Sequence, residues 1–429
     1  MMTAVLAKLR LRRFRSSHKF ILITDMNMIR VSVWSVWGTV LLAACSSGGE
    51  PQSGNRDQSF VPAVVGRVMS MASQHGGRIL VGGVSVNPVS KNGLVRIEED
   101  GSIDAEFDPP ILPFNEDFGL GGMVRSLAVQ PDGKILAGGR IRLPGAKTAD
   151  VPLGLTRLNF DGSVDTNFAA DVSADVFALK VQPDRQILVG RFGSGGEPCL
   201  SRLNSDGSAD IDFNTHAIVD RTVAAIGLQP DGKIVIGGTF SSVAGANRTC
   251  VARLHKDGRL DTNFNAVIEG QMNFRKDEVI FDPDFTQGVL ALFIQPDGKI
   301  IVAGAFERVN GRPRRGVARL NHDGSLDGSF NVGAGVNARV FAVARQRNGD
   351  VLLGGVFTRV NGTERRRLAR LDVNGSVDPS FSSGLGEDWN AVTSFLTDHS
   401  ELFVGGDYVG SSGYGGVARL DSSTGQMQR

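Results

Sequence analysis

A unit with two turn signals recurs along the chain, and it constrains the fold more than any other feature. In its clearest copy, residues 294–304 read IQPDGKIIVAG and residues 317–330 read VARLNHDGSLDGSF. The arginine of the second segment marks the copies at Arg96, Arg157, Arg202, Arg253, Arg319, Arg370 and Arg419. The intervals run from 45 to 66 residues, the scale of propeller blades rather than of helical solenoids.

Each copy predicts two β-hairpins in series. Gln-Pro-Asp-Gly favours a type I turn closed by a left-handed glycine, and Asn-x-Asp-Gly repeats this pattern in the second hairpin. The third copy has Arg185 where glycine stands elsewhere, which costs on the order of 1 kcal/mol if the geometry is kept. No window shows a sustained helical period, so the chain is predicted to be all-β.

The strands carry two further signals. The first strand is almost continuously apolar, as in residues 289–294, which predicts that both of its faces are covered. Four residues before the turn the side chain is always small, which places this strand at a crowded central axis; the positions are Ser70, Ser126, Ala178, Ala225, Ala291, Ala342 and Thr393. The second strand ends in Gly-Gly or a variant, which indicates a bulge or a close backbone approach.

The second hairpin predicts a cross-strand ion pair. If residues 160–162 form the loop, Arg157 lies opposite Asp165, and the same eight-residue offset recurs. The other pairs are Arg96/Asp104, Arg202/Asp210, Arg253/Asp261, Arg319/Asp327 and Arg370/Asp378. Such a pair contributes about 0.2 to 1 kcal/mol if it is exposed. We interpret these residues as structural.

The seventh copy stops without the Asp-x-x-Phe that ends the others, and Asp57-Gln58-Ser59-Phe60 supplies that motif before the first copy. We therefore predict a seven-bladed β-propeller of four-stranded blades, in which an N-terminal strand completes the last blade and Asp57 pairs with Arg419. The expected blades span about 64–107, 123–168, 175–213, 222–264, 288–330, 339–381, and 391–429 plus 57–60.

The N-terminus predicts export. Seven basic residues precede an apolar run at 31–42, and Leu42-Ala43-Ala44-Cys45 resembles the bacterial lipobox. We expect a signal peptide at 1–44 with its true start at Met26 or Met28, lipidation of Cys45, and a flexible tether over 45–56. Ser46 favours the outer membrane, with the leaflet left open. The alternatives are an uncleaved anchor and a plain secretory signal.

The repeat unit resembles the bacterial delta-60 type β-propeller repeat over about residues 57–429. The resemblance implies a secreted or surface-associated all-β propeller, and it brings no catalytic residues to carry over.

Composition and motifs disfavour several classes of function. Residues 45–429 hold 39 basic and 44 acidic residues, a net charge of −5, which disfavours a generally basic nucleic-acid binder. Cys199 and Cys250 occupy equivalent places in consecutive repeats, too far apart for a disulfide, and are interpreted as semi-buried thiols. No zinc motif and no nucleophile elbow appears, and the Asp-Gly-Ser-x-Asp acids are already explained by turns and pairs, so no metal or cofactor is predicted.

Two loop features stand out as candidate binding elements. Arginines crowd the loops between the second and third strands and are predicted to form one basic patch: Arg248, Arg308, Arg312, Arg314, Arg315, Arg359, Arg365, Arg366 and Arg367. Arginine suits planar anions, although a solvated rim would look the same. The second feature is an insertion of 24 residues between Phe264 and Val289, whose phenylalanines are candidate anchors.

These observations predict a monomeric, non-catalytic envelope lipoprotein whose propeller binds or presents a protein or glycan partner. One alternative is a hydrolase or lyase acting on a sugar or lactone at the channel mouth, which predicts clustered carboxylates or histidines there. The other is a purely structural envelope component.

Overall fold

The computed structural model describes residues 60, 62–87, 92–112, 122–144, 153–172, 174–193, 198–272, 287–398, 401–409 and 416–428, and the backbone of 23–24 and 27–28. The chain divides into two compact units, residues 1–52 and 53–429. In the first unit, β1 (Ile23–Thr24) pairs antiparallel with β2 (Asn27–Met28). The predicted lipidation site Cys45, the tether and Asp57 lie outside the described residues. None of the helices in the described ranges is long and apolar enough to cross a membrane.

The second unit is built from antiparallel meanders, here numbered as repeats 1 to 7. Repeat 1 contains β3 (Arg67–Ser73), β4 (Ile79–Val84) and β5 (Leu94–Ile97); repeat 2 contains β6 (Met123–Val129), β7 (Ile135–Ile141) and β8 (Leu153–Leu158). Repeat 3 contains β9 (Val176–Val181), β10 (Ile187–Arg191) and β11 (Leu200–Leu203), followed by α1 (Ile211–His216).

Repeats 4 to 6 add short strands. Repeat 4 contains β12 (Val223–Leu228), β13 (Ile234–Gly238), β14 (Ser242–Val243), β15 (Ala246–Asn247) and β16 (Val251–Leu254). After β17 (Ile268–Glu269), repeat 5 contains β18 (Gly288–Ile294), β19 (Ile300–Ala305), β20 (Arg308–Val309), β21 (Arg312–Pro313) and β22 (Val317–Leu320). Repeat 6 contains β23 (Val340–Arg345), β24 (Val351–Gly355), β25 (Arg359–Val360), β26 (Thr363–Glu364) and β27 (Leu368–Leu371). Repeat 7 contains β28 (Trp389–Asp398), β29 (Glu401–Tyr408) and β30 (Val417–Asp421).

The first strands of consecutive repeats lie against one another, and β28 of repeat 7 lies against β3 of repeat 1. Single residue pairs also join neighbouring sheets. Arg67 pairs with Asp407 between repeats 1 and 7, and Val84 pairs with Met123 between repeats 1 and 2. The hydroxyl of Thr393 donates to the carbonyl of Val68 at 2.6 Å. The described part of the last repeat therefore contacts the first.

The fourth segment of each repeat is shorter than predicted. It forms a single antiparallel bridge to the third strand, as in Leu158 with Val164, and then turns. The turn follows because the amide of Phe168 donates to the carbonyl of Asp165 and the carboxylate of Asp165 accepts from Asn167. In repeat 3 the corresponding residues form the one-turn helix α1, which the sequence did not indicate, with Asp210 as its N-cap.

The Gly-Gly positions coincide with bulges, as predicted. The register of β3 and β4 shifts between Val68 and Ser70, and Ser70 then lies opposite Gly82. A Cβ at Gly83 would lie 1.9 Å from the carbonyl oxygen of Arg67, so only glycine permits this approach of the two strands.

The core lies around the second strands. All six residues of β19 are buried, whereas five of the seven residues of β18 are only partly buried. Both faces of β18 nevertheless pack against apolar clusters, with Leu292 and Ile294 on one and Phe293 on another, so the partial exposure lies along the edge of the strand. The inner edge of this strand has no hydrogen-bonded neighbour in its own sheet, because the sheet of repeat 5 has the order β18-β19-β22.

Candidate functional site

The repeat arginines and aspartates form the predicted pairs. Arg157 Nε lies 2.7 Å from Asp165 Oδ2, and the amide of Asp165 donates to the carbonyl of Arg157, which is the expected register. The five other described pairs lie at 2.7 to 2.8 Å. They differ from the expectation in being largely buried, since the Arg157 and Asp165 side chains are 8% and 3% exposed. Loss of one partner from such a pair is therefore costly.

Each of these arginines also contacts the phenylalanine eleven residues ahead. The guanidinium carbon of Arg157 lies 4.4 Å from the ring centroid of Phe168, a cation–π distance. The equivalent contacts are Arg96/Phe107, Arg202/Phe213, Arg253/Phe264, Arg319/Phe330 and Arg370/Phe381.

A third contact of the same arginines crosses to the next repeat, which the sequence did not reveal. Arg157 Nη1 donates to the carbonyl of Ser205 at 2.5 Å, and Arg319 Nη1 donates to that of Val373 at 2.8 Å. The remaining acceptors are the carbonyls of Phe160, Lys256, His322 and Ser422, for Arg96, Arg202, Arg253 and Arg370 respectively. The arginine thus joins neighbouring repeats as well as stabilising its own hairpin.

The lysine of the first turn reinforces this arrangement. Lys134 Nζ lies 2.7 Å from Asp165 Oδ2, and Lys299 Nζ lies 2.8 Å from Asp327 Oδ2. Burial raises the pKa of Asp165, but hydrogen bonds from Lys134 and Arg157 outweigh this effect and lower the pKa to about 2. The same balance lowers the pKa of Asp327. These carboxylates are therefore ionised and saturated with partners, which explains them without a ligand.

Arg419 has a related environment in repeat 7. Its guanidinium carbon lies 5.1 Å from the centroid of the Phe60 ring, and Phe60 packs edge-on against Phe403 at 5.6 Å. Phe60 therefore stands where the phenylalanine eleven residues ahead stands in the other repeats. Arg419 Nη1 also lies 3.5 Å from Glu401 Oε1.

The loops that carry the predicted arginine patch are short hairpins in repeats 4 to 6. Their central residues have positive φ: Ala244 and Gly245, Asn310 and Gly311, and Asn361 and Gly362. This geometry is the type I′ turn, for which Asn-Gly is the strongest sequence signal. The Asn-Gly pairs at 310–311 and 361–362 were visible in the sequence and would have predicted these hairpins.

Three arginines of repeat 6 bond to carboxylates or backbone carbonyls of the protein itself. Arg366 pairs with Glu364 at 2.9 Å and with Glu387 at 2.7 Å. Arg365 donates to the carbonyls of Glu364 and Asp378, and Arg367 donates to that of Trp389. Two carboxylates therefore offset the charge of Arg366, and the donors of Arg365 and Arg367 are directed at backbone carbonyls of the protein.

Among the described residues, the side chains of the loop arginines of repeat 5 bond only within their own loop, where Arg308 donates to the carbonyl of Gly311 and Arg314 to that of Pro313. Within the described ranges, no ion pair is formed by four arginines of repeat 5 or by one of repeat 6: Arg308, Arg312, Arg314 and Arg315, and Arg359. Arg308, Arg312 and Arg359 are exposed. Arg308, Arg314 and Arg315 line a cavity of about 260 Å³ that also includes Glu307 and the linker residues Gly333 and Ala334.

The linker between repeats 5 and 6 connects the two hairpins. The amide of Val336 donates to the carbonyl of Arg315, and the next amide, of Asn337, donates to the carbonyl of Arg359. The structure therefore brings the arginines of repeats 5 and 6 to one surface. No bond in the described part of the chain joins Arg248 of repeat 4 to this surface. The phenylalanines of the insertion, Phe274, Phe281 and Phe285, lie outside the described residues.

The structure also bears on the possible metal ligands and on the two cysteines. Among the residues it describes, no three His, Cys, Asp or Glu side chains lie close enough together to hold a metal ion. Cys199 and Cys250 form no disulfide within the described residues and are buried rather than semi-buried, and burial raises the pKa of the Cys250 thiol to about 12.

Comparisons with known proteins agree with this architecture. A family model described as "Domain of unknown function (DUF5122) beta-propeller" matches residues 77–107, 182–213, 229–264, 295–330 and 346–381, within repeats 1, 3, 4, 5 and 6. No curated protein matches the chain.

Three solved structures illustrate the structural likeness. The computationally designed Ika8 protein has a TM-score of 0.50 at 11% identity, covering 87% of this chain and 90% of that chain. Virginiamycin B lyase from Staphylococcus aureus has a TM-score of 0.48 at 13% identity, covering 80% and 93%. The WD40 beta propeller domain of Doa1 has a TM-score of 0.47 at 10% identity, covering 84% and 99%.

The delta-60 resemblance stays a prediction, because the matching model is a different description of a propeller repeat. The recurring meander and the five matched segments together identify the chain as a β-propeller repeat protein.

Proposed function

We propose that this protein is a non-catalytic envelope lipoprotein whose β-propeller binds an anionic partner through the arginines of repeats 5 and 6. The observation that carries the proposal is the surface formed by Arg308, Arg312, Arg314, Arg315 and Arg359, which form no ion pair within the described residues. We call these five residues the arginine surface.

The chemistry of this surface favours carboxylate or phosphate groups. Guanidinium groups recognise such planar or tetrahedral anions through paired N–H donors. The surrounding domain is acidic, with a net charge of −5 over residues 45–429, so a basic patch on it restricts where an anionic polymer binds. The type I′ hairpins that carry the arginines are joined by the linker, so the charges are held on a rigid support.

The proposal includes a ring of seven four-stranded blades, closed by residues 57–60. Three contacts support it: Arg67 pairs with Asp407, Thr393 donates to Val68, and Phe60 lies under Arg419. The backbone position opposite Arg419 is occupied by Gln428, whose amide donates to the carbonyl of Arg419 as the amide of Asp165 donates to that of Arg157. On this proposal Asp57, three residues before Phe60, supplies only the carboxylate for Arg419. A closed ring would leave only short, protected strand edges.

The envelope location rests on the sequence. The basic start, the apolar run and the lipobox-like Leu42-Ala43-Ala44-Cys45 support export and lipidation at Cys45. Metabolic labelling with a radioactive fatty acid tests this directly: wild type would incorporate the label, and Cys45→Ala would not. Labelling of Cys45→Ala to the wild-type level would contradict the lipoprotein assignment.

The experiment on the arginine surface uses two variants with the same change in net charge. In the first, Arg308, Arg312, Arg315 and Arg359 are replaced by glutamine. In the second, the replaced residues lie at the opposite end of the meanders, in or beside hairpin turns, and are all exposed: Arg185, Lys256, Arg259 and Arg347. Fluorescence anisotropy with labelled polyglutamate and polyphosphate measures binding at low and high ionic strength.

We expect the first variant to bind about tenfold more weakly than wild type at low ionic strength, and the control to lose much less. Binding of wild type should fall as salt is added, because exposed charges are screened. Equal losses in the two variants would show a nonspecific charge effect, and unchanged binding in the first would remove the arginine surface from the proposal.

A further inference from the structure

A second concave site lies at the same end of the molecule, beside repeats 3 and 4. It is a cavity of about 370 Å³, within the range of about 300 to 1,000 Å³ usual for small-molecule sites. Its walls come from the end of β10, the start of β12, the hairpin of repeat 4 and the residues that flank the insertion. None of the predicted arginines lines it, so it is distinct from the arginine surface.

The hydrogen bonds that two hydroxyl groups of this cavity already make determine whether each can donate to a ligand or accept from it. Ser241 Oγ donates to Asp220 Oδ2 at 2.6 Å, so the remaining lone pairs of Ser241 can only accept. Thr222 Oγ1 accepts from the amide of Gly193 at 3.2 Å, which leaves the hydroxyl proton of Thr222 free to donate. One wall therefore presents a fixed acceptor and a fixed donor.

Asp220 keeps the serine in this state. Burial raises the pKa of Asp220, but hydrogen bonds from the Ser241 hydroxyl and the amides of Ser241 and Ser242 outweigh it and lower the pKa. The carboxylate is therefore ionised near neutral pH and holds the proton of Ser241 throughout.

Four further polar side chains of the cavity have no hydrogen-bond partner among the described residues. The side chains of Thr239, Thr249, Gln271 and Gln287 make no hydrogen bond to any described residue. Arg221 is exposed at the rim. Hydroxyl and amide groups both donate and accept, so the cavity matches a ligand that itself carries several groups of mixed character.

An apolar surface completes the site. The half-buried ring of Phe192 lines the cavity beside these polar groups, and the fully buried Phe240 lies behind its wall. A ligand with one C–H face and a belt of hydroxyls would cover the Phe192 ring and satisfy the polar groups together. A simple anion fits less well, because Ser241 is held as an acceptor and Arg221 is the single cationic group among the described lining residues.

We propose that this cavity binds a sugar ring, with Thr222 and Arg221 donating to its oxygens, Ser241 accepting from one of its hydroxyls, and Phe192 covering its apolar face. The site stands independently of the arginine surface, and either can be present without the other.

The test uses the full-length protein and four probes: glucose, galactose, N-acetylglucosamine and glucuronate. Saturation-transfer NMR detects contact and isothermal titration calorimetry measures affinity. Ser241→Ala removes the acceptor, and Arg221→Gln changes an exposed residue whose replacement leaves the core intact. Thr358→Ala is the matched control, because Thr358 occupies the position of Ser241 in the hairpin of repeat 6 and lies outside the cavity.

We expect at least one probe to bind wild type, and its affinity to fall about fivefold or more in Ser241→Ala and in Arg221→Gln but not in Thr358→Ala. Preference for glucuronate, lost in Arg221→Gln, would assign an acidic sugar; equal binding of the neutral sugars would assign a neutral one. The proposal is overturned if no probe binds, or if the three variants bind as wild type does.

Discussion

The guanidinium of Arg319 donates a 2.8 Å hydrogen bond to the backbone carbonyl of Val373, which belongs to the next repeat. The same guanidinium pairs with Asp327 at 2.7 Å and lies 4.9 Å from the centroid of the Phe330 ring. One side chain therefore stabilises a hairpin, the segment that leaves it and the junction with the following repeat. This triple contact recurs in repeats 1 to 6 and accounts for the arginine at those six positions.

Replacing Arg319 by lysine should be strongly destabilising. An ammonium group cannot make the guanidinium's bond to Asp327 and its bond to Val373 together, and the buried carboxylate then loses part of its compensation. We expect the free energy of unfolding to fall by about 3 kcal/mol in urea titrations. Arg259→Lys, at an exposed pair with Asp257, is the control and should change it by less than about 1 kcal/mol. Similar small losses in both variants would contradict the role given to Arg319.

Lowering the pH should reduce the folding stability of the domain, because Asp165 becomes protonated. Its pKa of about 2 in the folded protein lies below the value of about 3.9 expected after unfolding, so its stabilisation is complete above about pH 4 and is lost as the pH falls towards 2. The stability difference between wild type and Asp165→Asn should shrink by about 2 kcal/mol between pH 7 and pH 2. The exposed Asp171→Asn is the comparison variant, and a pH-independent difference for Asp165→Asn would refute the prediction.

Phe60 tests whether the start of the domain completes repeat 7. The side chain is 4% exposed and packs between Phe403 and Arg419, so truncation to alanine should cost about 3 kcal/mol or more of unfolding free energy. Phe381→Ala, at the matching place in repeat 6, gives the reference cost. A much smaller loss for Phe60→Ala, measured by urea unfolding, would mean that this segment does not close the ring.

Replacing Arg185 by glycine should stabilise the protein. Its φ of 69° lies in the left-handed region, where the corresponding turn residues are glycines such as Gly133 and Gly232. Arg185→Gly should raise the free energy of unfolding by about 0.5 to 1 kcal/mol, because the strain of a side chain in this conformation is removed. Arg347→Gly changes another exposed turn arginine, at a position with no positive φ, and should be neutral or destabilising. A loss of stability in Arg185→Gly would contradict the strain argument.

The features recovered from the sequence are local ones. The turns, the position of the bulges and the pairing of Arg157 with Asp165 depend on residues within one hairpin, so period and turn chemistry were sufficient to predict them. The unusual conformation of Arg185 followed for the same reason. The hairpins at Asn310-Gly311 and Asn361-Gly362 are equally local, because the Asn-Gly pair alone specifies their turn.

Tertiary structure decided the features that depend on residues far apart in the chain. It determined that the first strand is only partly buried, because that depends on what lies beside its free edge. It bonded Arg365, Arg366 and Arg367 to groups of other segments. Within the described residues it left Arg312 without an ion pair and Arg308 with a bond to its own turn only. The cavity beside Thr222 and Ser241 draws its walls from two repeats and a linker, so no single stretch of sequence carried a signal for it. The sequence by itself determined the repeating unit; the contacts between units determined which of its side chains remain free to bind.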